Sequence, residues 1–73
     1  MAKLKAVSEV SGSVWKIEVS VGQRVAEGEV LVLIESMKME IPVVAEAAGR
    51  IDEILVAEGE AIVEGQSVAT LET

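Results

Sequence analysis

Displacing the sequence by 37 positions along itself lays every glycine on another glycine: Gly12 on Gly49, Gly22 on Gly59 and Gly28 on Gly65. The apolar positions obey the same shift, with Val14 on Ile51, Ile17 on Ile54, Val19 on Val56, Val25 on Ile62, Leu31 on Val68 and Ile34 on Leu71, and Glu27 and Glu35 fall on Glu64 and Glu72. A chain that repeats once is too short for a solenoid, which needs about three units to bury a continuous core. The copies must therefore pack against each other as quasi-symmetric halves.

Within a copy, Trp15, Ile17 and Val19 alternate with Lys16 and Glu18, the period of a strand with one buried face. This places Trp15 in the core. The glycines divide each copy into short pieces, as residues that supply the positive φ of tight turns do. The run Val30–Ile34 is apolar throughout, short and β-branched, which marks a central strand, and Ser67–Leu71 repeats it more weakly. No stretch carries a helical stripe, and Glu40–Ala48 holds Pro42 and two adjacent valines. Pro42 cannot donate to a ladder, so its segment belongs at an edge or has its missing donor facing solvent. The expectation is an all-β, flattened barrel or sandwich of two quasi-symmetric four-stranded halves, one domain spanning 1–73.

Size and composition remove most chemistry. Seventy-three residues without cysteine or histidine offer no thiol nucleophile, no disulfide, no zinc–thiolate site and no imidazole base. The remaining carboxylates form no paired-acid or metal constellation, so neither a catalytic residue nor a metal ligand is expected. The formal charge of −7 disfavours nucleic acid and anionic membrane surfaces as partners. No run is long enough to span a bilayer, and Met1-Ala2-Lys3-Leu4 lacks the features of a secretory signal, which points to the cytoplasm.

Setting the two copies aside leaves Ser36–Ala48, which begins Ser36-Met37-Lys38-Met39-Glu40. It follows one strand and precedes the strand-like Ile41–Val44, so Met37-Lys38-Met39 occupies the turn of a hairpin, with Lys38 at its extremity. No glycine or Asn-Gly pair accounts for that turn, and such a mismatch is characteristic of functional positions. Two methionines flanking a turn lysine cannot both be deeply buried, and exposed thioethers make an adaptable recognition surface. Glu35 and Glu40 keep the hairpin soluble. Nothing adjacent in sequence equips Lys38 to activate itself as a nucleophile, so it reads as the substrate of a partner bringing an activated acyl group.

Glu35-Ser36-Met37-Lys38-Met39-Glu40 resembles the Glu-Ala-Met-Lys-Met attachment sequence of the biotinyl/lipoyl attachment family, in its biotin carboxyl carrier branch, with Ser36 where alanine is commoner. The resemblance covers nearly the whole chain. It implies a hairpin midway between two halves of a flattened barrel. It further implies that Lys38 is acylated by a biotin protein ligase from biotinyl-adenylate, with Met37 and Met39 as ligase contacts and Glu35, Ser36 and Glu40 flanking. The carried biotin would serve a biotin carboxylase and a carboxyltransferase, the chain itself being a carrier and no enzyme.

Two departures accompany the likeness. Glu9-Val10-Ser11-Gly12 stands where the family often has an Ala-Pro-Met-Pro-Gly-like segment, and the short turn before Val25 leaves no room for a protruding thumb loop. The opening Met1-Ala2-Lys3 favours a free-standing attachment protein over an excised domain. The alternatives are a lipoyl carrier of a 2-oxo-acid dehydrogenase system, whose lysine usually follows aspartate and precedes alanine, and an unmodified structural hairpin module.

Overall fold

Eight strands and no helix account for the regular structure of the computed structural model, which describes residues 2–73. Met1, used above in weighing a free-standing protein, lies outside the described residues. The strands are β1 (Lys3–Val7), β2 (Gly12–Ile17), β3 (Arg24–Val25), β4 (Val30–Ser36), β5 (Met39–Val44), β6 (Gly49–Ile54), β7 (Ala61–Ile62) and β8 (Ser67–Glu72). They form two antiparallel four-stranded sheets, ordered β1-β8-β6-β3 and β5-β4-β2-β7. No helix among the described residues is long and apolar enough to cross a membrane.

A shift of 37 residues carries β1 to β5, β2 to β6, β3 to β7 and β4 to β8, and so maps one sheet onto the other. Each sheet takes two strands from each half of the chain, and the halves are interlocked as well as stacked. The repeat also reaches further than the glycines indicate, because β5, which the sequence places in a connector, is the counterpart of β1.

The core follows the same rule. Val14 and Ile51, Leu31 and Val68, Val32 and Ala69, Ile34 and Leu71, Val19 and Val56, Val25 and Ile62, and Ala6 and Val43 are buried in equivalent pairs. The remaining pair is Ala45 and Ser8, the buried polar residue, whose hydroxyl donates to the Val10 carbonyl at 2.6 Å. Burial of β-branched and leucine side chains, at roughly 1.5–3 kcal/mol each, is what drives such a small fold together.

Four turns repeat one design. At 20–23, 26–29, 57–60 and 63–66 the third residue is glycine with φ of 86–88°, the conformation a type II turn requires there. The fourth residue, Gln23, Glu29, Glu60 or Gln66, donates its backbone N–H to the first carbonyl and accepts the first N–H on its own side-chain oxygen at 3.0–3.1 Å. This reciprocal closure explains why a glutamine or glutamate follows each of these glycines.

Trp15 departs from the expectation: it is 48% exposed. The β2–β4 register breaks between Val14 and Lys16, where a bulge gives Trp15 no partner, so the alternation that would have buried it slips by one residue. Asp52 occupies the equivalent bulge in β6. Pro42 lies on β5, at the edge of its sheet, and Val30–Ile34 lies within the second strand of that sheet, both as the sequence indicates.

Candidate functional site

The β4–β5 hairpin closes on the Ser36–Met39 pair, leaving Met37 and Lys38 as a two-residue turn. Their φ values are 52° and 65°, so both sit in the left-handed region demanded by a type I′ turn. Asn-Gly pairs normally meet that demand. A methionine and a lysine held there each cost on the order of 1–3 kcal/mol of backbone strain. The turn geometry is imposed by the ladder below it, in which Val30 to Ser36 pair with Val44 to Met39.

The lysine stands in the turn at the end of the β4–β5 ladder. Lys38 is exposed, Met37 is 92% and Met39 60% exposed, and Lys38 makes no ion pair among the described residues. Met39 belongs to the first pair of the ladder and not to the turn proper, a small adjustment to the sequence reading. Beneath the tip, Glu35 and Glu40 are direct cross-strand partners. Like charges opposite one another oppose pairing. Neither carboxylate has a cation within ion-pair distance among the described residues.

Ser36 anchors the hairpin. Its hydroxyl donates to the Ser11 carbonyl at 2.8 Å, and the Ser11 hydroxyl in turn accepts the Glu64 backbone N–H at 3.0 Å. The end of β4, the approach to β2 and the turn before β8 are thereby joined. In the other half the equivalent positions hold Thr73, Ala48 and Glu27, and Ala48 has no hydroxyl to complete such a relay. Ser11 was legible only as a departure from the family pattern; its role as a strut depends on a contact 25 residues away in the chain.

Lys38, Met37, Met39, Glu35, Ser36 and Glu40 are thus gathered at one end of the β4–β5 hairpin. An open cleft of about 430 Å³ on the other sheet, between Arg24, Gly49, Arg50 and Glu72, includes no hairpin residue, and a smaller one of about 110 Å³ lies along β5 at Ile41–Val44, away from the turn. No cluster of acidic side chains suited to a metal occurs among the described residues. An exposed primary amine on a two-residue turn is suited to being enclosed and acylated by another protein. The residues present therefore fit a covalently attached carrier group held by Lys38 alone.

Comparison with known proteins agrees with this geometry. The biotin/lipoyl family model, described as biotin-requiring enzyme, matches residues 5–71. The biotinylated protein TB7.3 homolog of Mycobacterium leprae (strain TN) is 55% identical over 38 residues, covering 52% of this chain and 54% of that protein. The biotin/lipoyl attachment protein of Bacillus subtilis (strain 168) is 43% identical over 37 residues, 51% of each chain. The chain spans about half the length of these curated relatives. The crystal structure of Kluyveromyces lactis urea carboxylase superposes with a TM-score of 0.94 at 32% identity, over 99% of this chain and 6% of that one.

Proposed function

The chain belongs to the biotin/lipoyl family of biotin-requiring enzymes, and from that premise we propose that it is a biotin carboxyl carrier domain whose Lys38 is the attachment residue. The observation that carries the proposal is the placement of Lys38 at a strained, exposed two-residue turn between Met37 and Met39. A biotin protein ligase delivers the acyl group: the Lys38 Nζ, deprotonated in the ligase site, attacks the acyl carbon of biotinyl-adenylate, an amide forms, and AMP leaves. Met37 and Met39 present thioethers to the ligase on either side of the amine.

Biotin supplies a ureido ring that carries carboxylate between a biotin carboxylase and a carboxyltransferase. The work of this chain is to hold the attachment point rigidly and present it to each partner in turn. The ladder under the turn and the Ser36–Ser11 bond do the holding. Tethering makes delivery intramolecular, with effective concentrations on the order of millimolar where the geometry permits. Residues 1–73 act as one non-catalytic carrier domain, and the cytoplasm is the compartment proposed for it.

Intact mass after coexpression with biotin protein ligase and biotin tests the reading, beside a Lys38→Arg control and incubation with lipoate ligase. One biotin adduct, absent from Lys38→Arg, is expected. Lipoylation alone would move the chain to a lipoyl carrier, and no adduct from either competent ligase would leave an unmodified hairpin module.

A further inference from the structure

Because residues 37 apart occupy equivalent places, each sheet is a reference for what the other requires. On the outer face of the sheet without the hairpin, one row across the strands reads Lys3, Glu72, Arg50, Arg24 and the next Lys5, Thr70, with Glu53 paired to Thr70 and Asp52 beside it in the bulge. Those residues finish the surface with polar contacts: Lys3 pairs with Asp52 at 3.1 Å, Arg50 with Glu72 at 2.8 Å, and Thr70 donates to Asp52 at 3.5 Å. The equivalent rows of the hairpin-bearing sheet are Glu40, Glu35, Ser13, Ala61 and then Pro42, Leu33, with Lys16 paired to Leu33 and Trp15 beside it in the bulge. Lysine, threonine and aspartate have given way to proline, leucine and tryptophan, with Lys16 in the place of Glu53, and a basic row has become acidic.

Folding does not demand the exchange, since the same backbone carries lysine, threonine and aspartate at those places in the other sheet. Single exposed apolar residues need no explanation, but a contiguous group bounded by charge marks an interaction surface. Here Trp15 and Pro42 are exposed and Leu33 half-buried between their strands, and Val44, 39% exposed, extends the group along β5. Trp15 is also the chain's only aromatic residue. Glu35 and Glu40 border the group on the side of the hairpin tip.

We propose that this face, Trp15, Leu33 and Pro42 beneath Glu35 and Glu40, is the docking surface for the enzyme that acylates Lys38. The inference rests on the reading of Lys38 as an acyl acceptor. Leu33 lies five residues from Lys38, about 15 Å along a strand. An ordinary interface covers roughly 800 Å² of each partner, a patch about 30 Å across, so an enzyme enclosing the tip covers this row too. Charge selects the occupant: Lys16 is paired within the chain to Glu18 at 3.7 Å, whereas Glu35 and Glu40 have no cation within ion-pair distance among the described residues, so the patch takes apolar side chains with lysine or arginine on the side of the tip. A second copy would bring its own Glu35 and Glu40 against these two, and like charges would meet.

The test replaces residues by their quasi-equivalents, Trp15→Asp and Leu33→Thr, which the strand geometry already accepts at positions 52 and 70. Biotin incorporation by purified biotin protein ligase is followed by mass spectrometry over a range of carrier concentrations, with Lys5→Gln on the other sheet as control. Expected is a rise in KM of roughly tenfold or more for Trp15→Asp, the scale of an interface hot spot. Leu33→Thr should show a smaller rise, kcat should stay within about twofold, and Lys5→Gln should behave as wild type. Independently, the ¹⁹F resonance of 5-fluorotryptophan at position 15 of the otherwise unaltered chain should shift or broaden on adding ligase without ATP. Wild-type KM in both variants, or a resonance unmoved at saturating ligase, would overturn the proposal. A wild-type chain that accepts no biotin would overturn the reading of Lys38 and this inference with it, a result distinct from variants that match a competent wild type.

Discussion

The hydroxyl of Ser36 donates to the carbonyl of Ser11 at 2.8 Å, tying the last residue of β4, two positions from Lys38, to the segment entering β2. A partly exposed neutral hydrogen bond contributes about 0.5–1.5 kcal/mol net. Ser36→Ala should therefore lower unfolding free energy by about 1 kcal/mol, read as a shift in urea midpoint with unchanged m-value. The ladder below still holds the turn, so the variant should keep Lys38, the proposed attachment residue, competent for modification.

Gly12 and Gly49 support the two ends of the fold in the same way. A Cβ on Gly49 would stand 2.6 Å from the Glu72 carbonyl oxygen, and one on Gly12 would press on the Glu35 carbonyl oxygen still more closely. The obstacle is backbone, which a rotamer change cannot clear. Gly12→Ala and Gly49→Ala should each cost about 1–3 kcal/mol in thermal or chemical denaturation, the range for overpacking. Only Gly12→Ala should also broaden the amide resonances of Met37 and Lys38, because Glu35 underlies the hairpin.

The glycine periodicity made the quasi-symmetry legible, and the paired core of Val14 with Ile51 or Leu31 with Val68 confirms it residue by residue. What stayed hidden has physical causes. Lys3-Leu4-Lys5 and Glu40-Ile41-Pro42 share only their inward residue, so β1 and β5 do not look like copies. Trp15 follows the alternation of its neighbours, and a bulge, set by pairing with β4, reverses its face. The hairpin was legible from Met37-Lys38-Met39, but the positive φ of its two turn residues runs against their own propensity and arises from the ladder.

Lys3 yields a pH dependence. Its hydrogen bond to Asp52, and then the Asp52 charge, raise its pKa above the ordinary 10.5. The folded chain thus holds this proton more tightly than the unfolded one. The stabilisation is fully present below pH 10.5 and is lost as pH rises through the folded value. Lys3→Met should differ slightly from wild type at pH 7, and the difference should shrink in urea denaturation series carried above pH 10.5. Because the ammonium is solvent-exposed, 1 M salt should shrink it too.

The turn itself sets stability against modification. Asparagine tolerates the left-handed region and glycine enters it freely, so Met37→Asn with Lys38→Gly would build the pair that a type I′ turn favours. The double variant should unfold about 1–2 kcal/mol later than wild type and accept no biotin, since the amine is gone. Met37→Asn alone separates the two effects. It should gain roughly 0.5–1 kcal/mol from relief of strain at one residue, while losing the thioether beside Lys38. Denaturant midpoints and the concentration dependence of biotin incorporation, measured on the same preparations, should move in opposite senses: greater stability, weaker ligase recognition. If incorporation were unchanged while stability rose, the methionine at 37 would have no part in recognition, and the strain it carries would have to be ascribed to another partner of the same hairpin.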